Sequence, residues 1–271
     1  MKKSLHKIFC FTILVMTQVI VGFNAMSQTT EIFNTAGSFQ WTCPPTVTSV
    51  TVQVWGAGGK GSTKTTGSSI LNGGGGGGGA FASATLAVVP GQNYFGSIGL
   101  GSNNNAIDGE SSSFSNNITT VYANGGFSVP NNTAAGGSGG LVTTLITTSY
   151  FGGAGGGGGG SSAGSSANGN NSTSTTGAGA IAPTNGGNGG NAGATPTNGA
   201  IPGGGGGGYR ASNNSSAING GNGGNGQVKL IYTIVPCSGT PNNGTIALQN
   251  YSGMGGLVQT ITSTGLSETS G

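Results

Sequence analysis

Gly73 to Gly79 is an unbroken run of seven glycines, and Gly155 to Gly160 and Gly203 to Gly208 are runs of six. Glycine loses more backbone freedom on folding than any other residue, so such runs need a specific reason to be ordered. One conformation supplies it: the polyglycine counterpart of the polyproline II helix, with three residues per turn and no internal hydrogen bonds. Its N–H and C=O groups point sideways, and only chains without side chains approach closely enough to bond to one another, with weak Cα–H···O contacts added. A six-residue run would span about 19 Å. The sequence carries a matching period. Gly186-Gly187-Asn188-Gly189-Gly190-Asn191 and Gly220-Gly221-Asn222-Gly223-Gly224-Asn225 repeat every three residues, which places every asparagine on one edge of its helix and predicts asparagine ribs outside a bundle. A flexible Gly/Ser linker is the rival reading. It is weakened by the well-patterned strands on both sides of the glycine region.

Charge distinguishes this chain from ordinary disorder. Charged residues are 4% of the sequence against about 25% in typical domains, while 61 of 271 residues are glycine. Mean hydropathy is −0.01. Disordered segments combine low hydrophobicity with high charge, and this chain has neither. It must fold compactly or associate.

The first residues read as an export signal over 1–27. Lys2, Lys3 and Lys7 precede an apolar stretch from Ile8 to Phe23, and Ala25-Met26-Ser27 offers small residues for cleavage before Gln28. The apolar stretch is shorter than the ~20 residues of a membrane span, so no membrane insertion is expected once the signal is removed. Cys10 lacks the neighbours of a lipoprotein site. The sole histidine, His6, leaves with the signal. Lys60, Lys64, Arg210 and Lys229 then balance Glu31, Asp108, Glu110 and Glu268, four against four, so the formal +3 resides in the signal. A neutral mature chain offers nucleic acid no electrostatic footprint. Secretion or display on the cell surface is the expected localisation. Cys43 and Cys237 either pair in that oxidising setting or each meet another cysteine.

Strand signals bracket the glycine runs. Ser38 to Thr42 alternates. Thr48 to Trp55 sets Val50, Val52 and Val54 on one face and Thr51, Gln53 and Trp55 on the other. Ala80 to Val89 and Tyr94 to Ile98 flank the turn Pro90-Gly91. Ser111 to Phe114 and Thr119 to Ala123 read as a hairpin around Asn116-Asn117, and Gln227 to Val235 closes the set with Val228, Leu230 and Tyr232 on one face. One domain over 28–235 is expected, with a glycine-rich insertion at about 125–226. Residues 236–271 contain two further strand-like stretches, Thr245 to Gln249 and Val258 to Thr262, too few to bury a core. They read as the truncated start of a second β module.

Trp41-Thr42-Cys43-Pro44-Pro45, the stretch Val47 to Gly59, Gly73 to Gly79 with Ala80-Phe81-Ala82, Val89-Pro90-Gly91-Gln92 and the closing Gly220 to Tyr232 together resemble bacterial secreted glycine-rich domains. Related sequences occur in phage tail-fibre adhesins. The resemblance covers nearly all of 28–235. It implies an all-β fold: a β-sandwich base carrying a bundle of polyglycine II helices, with no α-helix apart from the signal peptide and with variable loops available for binding. A more distant similarity is to glycine-rich antifreeze proteins and to the glycine-rich ectodomain of some receptor kinases. Cys237-Ser238-Gly239-Thr240-Pro241 is similar to the opening of an immunoglobulin-like repeat in very large bacterial secreted proteins.

Catalysis lacks parts. Without a mature histidine there is no Ser-His or Cys-His pair. Asp108 and Glu110 alternate on an extended segment and point apart. Gly56 to Gly61 fits G-x-G-x-x-G after a strand, but no helix start or ribose-binding acid follows, so no dinucleotide is expected. No enzyme activity and no cofactor is expected. Asp108-Gly109-Glu110 beside Asn103 to Asn105 could offer oxygens to Ca²⁺, but a solvated turn is the plainer reading and no metal site is assigned. The candidate binding residues are Asn103, Asn104 and Asn105 in a polar loop, and the pair Tyr209-Arg210 after the last glycine run, which either anchors a partner or packs on the bundle edge. The leading expectation is a structural or adhesive module whose Asn/Ser/Thr loops meet a glycan, a cell-surface protein or a matrix protein. Ice binding and a passive spacer for downstream domains are the alternatives.

Overall fold

The alternating segments form nine strands in a computed structural model that describes residues 27–142, 148–173 and 177–235. They are β1 (Ser27–Phe33), β2 (Gly37–Thr42), β3 (Ser49–Trp55), β4 (Phe81–Ala87), β5 (Asn93–Ile98), β6 (Ser112–Ser115), β7 (Thr120–Ala123), β8 (Thr148–Tyr150) and β9 (Gln227–Ile234). No α-helix occurs among the described residues. The signal peptide, the tail module and Cys237 lie outside them.

Two antiparallel sheets result, β1-β9-β3-β4-β8 and β2-β5-β6-β7. Between them lies the core: Val50, Val52, Val54, Leu86, Val228, Leu230 and Tyr232 from the first sheet meet Trp41, Tyr94, Ile98, Phe114 and Val121 from the second. This is the β-sandwich, and the period-two pattern of β3 and β9 sets which side chains enter it. The Trp41 ring packs 5.5 Å from that of Tyr232, centroid to centroid. Trp41 Nε1–H donates to Glu31 Oε1 at 3.1 Å, and the Tyr232 hydroxyl donates to the same oxygen. Burial, then the Glu31 carboxylate, pushes Tyr232 up to about 12. Cys43 is buried, and its thiol donates to the Val47 carbonyl.

Trp55 departs from simple alternation. It sits on the face opposite the valines, yet it is fully buried with Phe81 and Ala163, and half-buried Tyr150 packs against them. Its indole N–H donates to the Ala163 carbonyl at 3.0 Å. The cause is the glycine bundle, which begins at the next residue and covers the Trp55 end of that face, leaving Thr51 and Gln53 half-buried.

The bundle leaves the sandwich from one end. Trp55 pairs with Phe81 and with Gln227, Phe81 with Tyr150, and Ser112 with Ala123, so the strand ends that lead into glycine segments lie together. At the other end Ser27 pairs with Ile234.

Within the bundle the hydrogen bonds of the central run follow a period of three. Gly73, Gly76 and Gly79 donate to Tyr209, Gly206 and Gly203; Gly74, Gly77 and Ala80 donate to Thr133, Phe127 and Asn124; Gly75 and Gly78 donate to Gly156 and Gly153. The carbonyls use three other neighbours. Gly74, Gly77 and Ala80 accept from Ser62, Gly59 and Gly56; Gly75 and Gly78 from Gly137 and Gly140; Gly76 and Gly79 from Gly160 and Ala163. These bonds measure 2.6–3.0 Å. Six segments thus surround one, and they bond to each other in turn: Gly126 to Ala57, Phe127 to Ser138, Gly152 to Gly140, Gly153 to Ser161, Gly205 to Gly160 and Gly206 to Gly59. Glycine is required because a Cβ on any residue of the central run would stand 1.8–2.4 Å from a neighbouring atom.

This corrects the expected insertion at 125–226. The innermost segment, 73–80, and one of its six neighbours, 56–62, precede that stretch in the chain. The central run and its six neighbours come from three connections, β3–β4, β7–β8 and β8–β9.

The asparagine ribs lie where the triplet period puts them, with Asn188 and Asn191 exposed and Asn222 and Asn225 half-buried. They are also engaged. Asn188 Oδ1 accepts from the Ala182 N–H and Asn191 Oδ1 from the Gly179 N–H. Asn168 and Asn171 do the same for Phe151 and Ala154. Donor and acceptor both step by three, in opposite directions in the first pair and in the same direction in the second, so each side-chain amide replaces the carbonyl of a neighbour missing at the bundle's edge.

Candidate functional site

Beyond Trp55 the chain runs into the bundle through Gly56 to Gly61, and Lys60 lies on this segment. There four loops meet. Residues 103–106, 130–131, 194–198 and 217–222 surround Lys60 and Thr63 and enclose a groove of about 1140 Å³. Small-molecule and cofactor sites have similar or smaller volumes.

The lining is dominated by amides. Asn105 fixes its own loop: Nδ2 donates to the Gly61 carbonyl at 2.8 Å and to Val129 at 2.6 Å. Asn104 Oδ1 accepts from the Ala106 N–H, closing a local turn. Asn198 Oδ1 accepts from the Asn222 N–H at 2.8 Å and ties two loops together. The side chains of Asn103, Asn131 and Asn219 make no hydrogen bond to the described residues. Each therefore presents a donor and an acceptor to whatever enters.

Lys60 is the groove's charge. It is only 6% exposed, and Nζ donates to the Gly220 carbonyl at 2.7 Å and to Asn222 Oδ1 at 3.0 Å. Burial lowers its pKa from the ordinary lysine value. Asp108 and Glu110 do not join it as a metal cluster. Asp108 Oδ1 accepts from the Ser128 N–H and Glu110 Oε2 from the Leu100 N–H, each stitching one loop to the next.

Asn103, Asn104 and Asn105 come together at the groove as a loop, but Tyr209 and Arg210 do not join them. Tyr209 is 0% exposed, its ring covers Gly73, and its hydroxyl donates to the Ile70 carbonyl at 3.1 Å. Burial raises its pKa. Of the two readings of this pair, packing on the bundle therefore describes Tyr209. Arg210 is half-buried and lines neither this groove nor a smaller hollow of about 550 Å³ near Leu71 and Asn214. Lys60, Asn131, Asn198, Asn219 and Asn222 escaped the sequence reading. Only Asn222 carried a signal, its place in a triplet repeat.

Residues 34–233, from the β1–β2 turn into β9, match the model of a family described as glycine-rich domain. The chain belongs to the glycine-rich domain family. No curated protein matches it. In this glycine-rich domain the matched region holds the whole bundle and every residue that lines the groove.

Proposed function

We propose that this glycine-rich domain is a secreted or cell-surface adhesive module whose bundle of polyglycine II helices holds a glycan-binding groove. The threefold hydrogen-bond period and the six-neighbour packing support the helix assignment, since both follow from three residues per turn. The observation that carries the function is the groove itself. It is wide and lined by amides, and three of its asparagines have side chains left for a ligand. Neutral donors and acceptors suit the hydroxyls of a saccharide. The residues lining it include no carboxylate, imidazole or thiol, so binding without turnover is the reading.

An oligosaccharide array probed with the purified chain tests this. Binding by the parent, weakened tenfold or more by Asn103→Ala with Asn219→Ala while the thermal melt stays put, supports the proposal. Equal binding by parent and double variant sinks the groove assignment. A chain that binds no saccharide is a passive spacer instead, and inhibition of ice recrystallisation by such a chain would revive ice binding.

A further inference from the structure

The groove contains an ammonium that its surroundings do not neutralise. Lys60 has three N–H donors, and two go to neutral oxygens, the Gly220 carbonyl and Asn222 Oδ1. No carboxylate lies within ion-pair distance of it among the described residues. Asp108, nearby in the fold through Ser128, spends Oδ1 on the Ser128 backbone N–H, while Ser128 Oγ accepts from the Lys60 backbone N–H. Every other residue lining the groove is uncharged. A cation more than nine-tenths buried without an anion is costly, and an anion brought into the same groove offsets that cost.

We propose that the groove selects saccharides carrying a carboxylate, and that Lys60 is the residue that reads the charge. This deepens the glycan reading above and rests on it. The ligand's hydroxyls meet the amides of Asn103, Asn131 and Asn219. Its carboxylate faces Lys60 across the groove wall, where the third N–H and the field of the buried charge act on it. A single ammonium matches one negative charge per binding unit, as in a uronic acid.

The test measures binding of the full chain to oligogalacturonate and alginate oligomers, each against the same oligomer with its carboxyls reduced to alcohols, and to dextran sulfate. The acid forms are expected to bind at least tenfold more tightly than the reduced forms, with the advantage shrinking as salt rises. Lys60→Gln is expected to bring the two forms level while changing the reduced form's affinity less than twofold, with folding checked by circular dichroism. Should that variant fail to fold, Ala217→Asp decides, because Ala217 is an exposed rim residue with no polar side-chain contact to lose, and a new carboxylate there should weaken the acid form at least fivefold and spare the reduced form. Equal affinity of the parent for acid and reduced forms overturns the inference and leaves the glycan reading standing. Preference for dextran sulfate over both acids overturns the carboxylate assignment. Binding of none of these probes overturns the inference, and the array result above then decides the glycan reading separately.

Discussion

One methyl group decides whether the bundle can close. A Cβ at Gly77 would stand 1.8 Å from the Ser138 carbonyl oxygen, a backbone atom held on its far side by the Phe127 N–H. Gly193 has no atom nearer than 3.6 Å to the same added carbon. Gly77→Ala is therefore expected to destabilise by about 4 kcal/mol or more, enough to unfold many domains, and Gly193→Ala to stay within about 0.5 kcal/mol. Thermal melts of the two variants check the contrast. A second prediction at this scale concerns pH. Tyr232 is neutral in the core beside Glu31, and its pKa stands at about 12 against 10 for a free tyrosine. A raised folded-state pKa means the contribution is complete below pH 10 and is lost as pH climbs through 12. Stability of the parent should therefore fall over that window, and Tyr232→Phe should flatten the fall in a pH series of urea melts.

Elements of two periods coexist in this chain, and each was legible where its side chains obey it. Alternating valines marked β3, and Val228, Leu230 and Tyr232 marked β9, because a half-buried strand leaves a period of two. The Gly-Gly-Asn triplets marked edge segments of the bundle for the equivalent reason at a period of three. Their chemistry was not legible. An asparagine rib looks like a display of ligand contacts until the partner is seen to be a backbone N–H of the same bundle. Replacing Asn188 and Asn191 by leucine removes the acceptors of Ala182 and Gly179. Because that edge is exposed, water takes over in part, and a loss of about 1–2 kcal/mol is expected for the pair. Hydrogen exchange should accelerate at Gly179 and Ala182 ahead of the central glycines. Unchanged exchange at those two amides would refute the capping role.

At the scale of the whole molecule, the groove was beyond the sequence because its walls come from segments far apart in the chain. Lys60 and Gly220 are 160 residues apart and meet at 2.7 Å. Gly56 to Ser62 reads as a strand's exit loop and proves to be part of the ring around the central run. Tyr209 was left between two readings by the sequence, and the ring packed over Gly73 decides for packing on the bundle. The pairing of Ser27 with Ile234 has a mechanical consequence. A pull applied through residues 27 and 234 does not load the bundle. It acts at one end of the antiparallel β1–β9 pair and separates its bonds one after another, like a zipper, rather than all at once in shear. Force spectroscopy through those two positions should record early, low-force detachment of β1, with the glycine bundle at the opposite end still intact. A tether under tension would thus yield at the sheet edge first and keep its groove assembled.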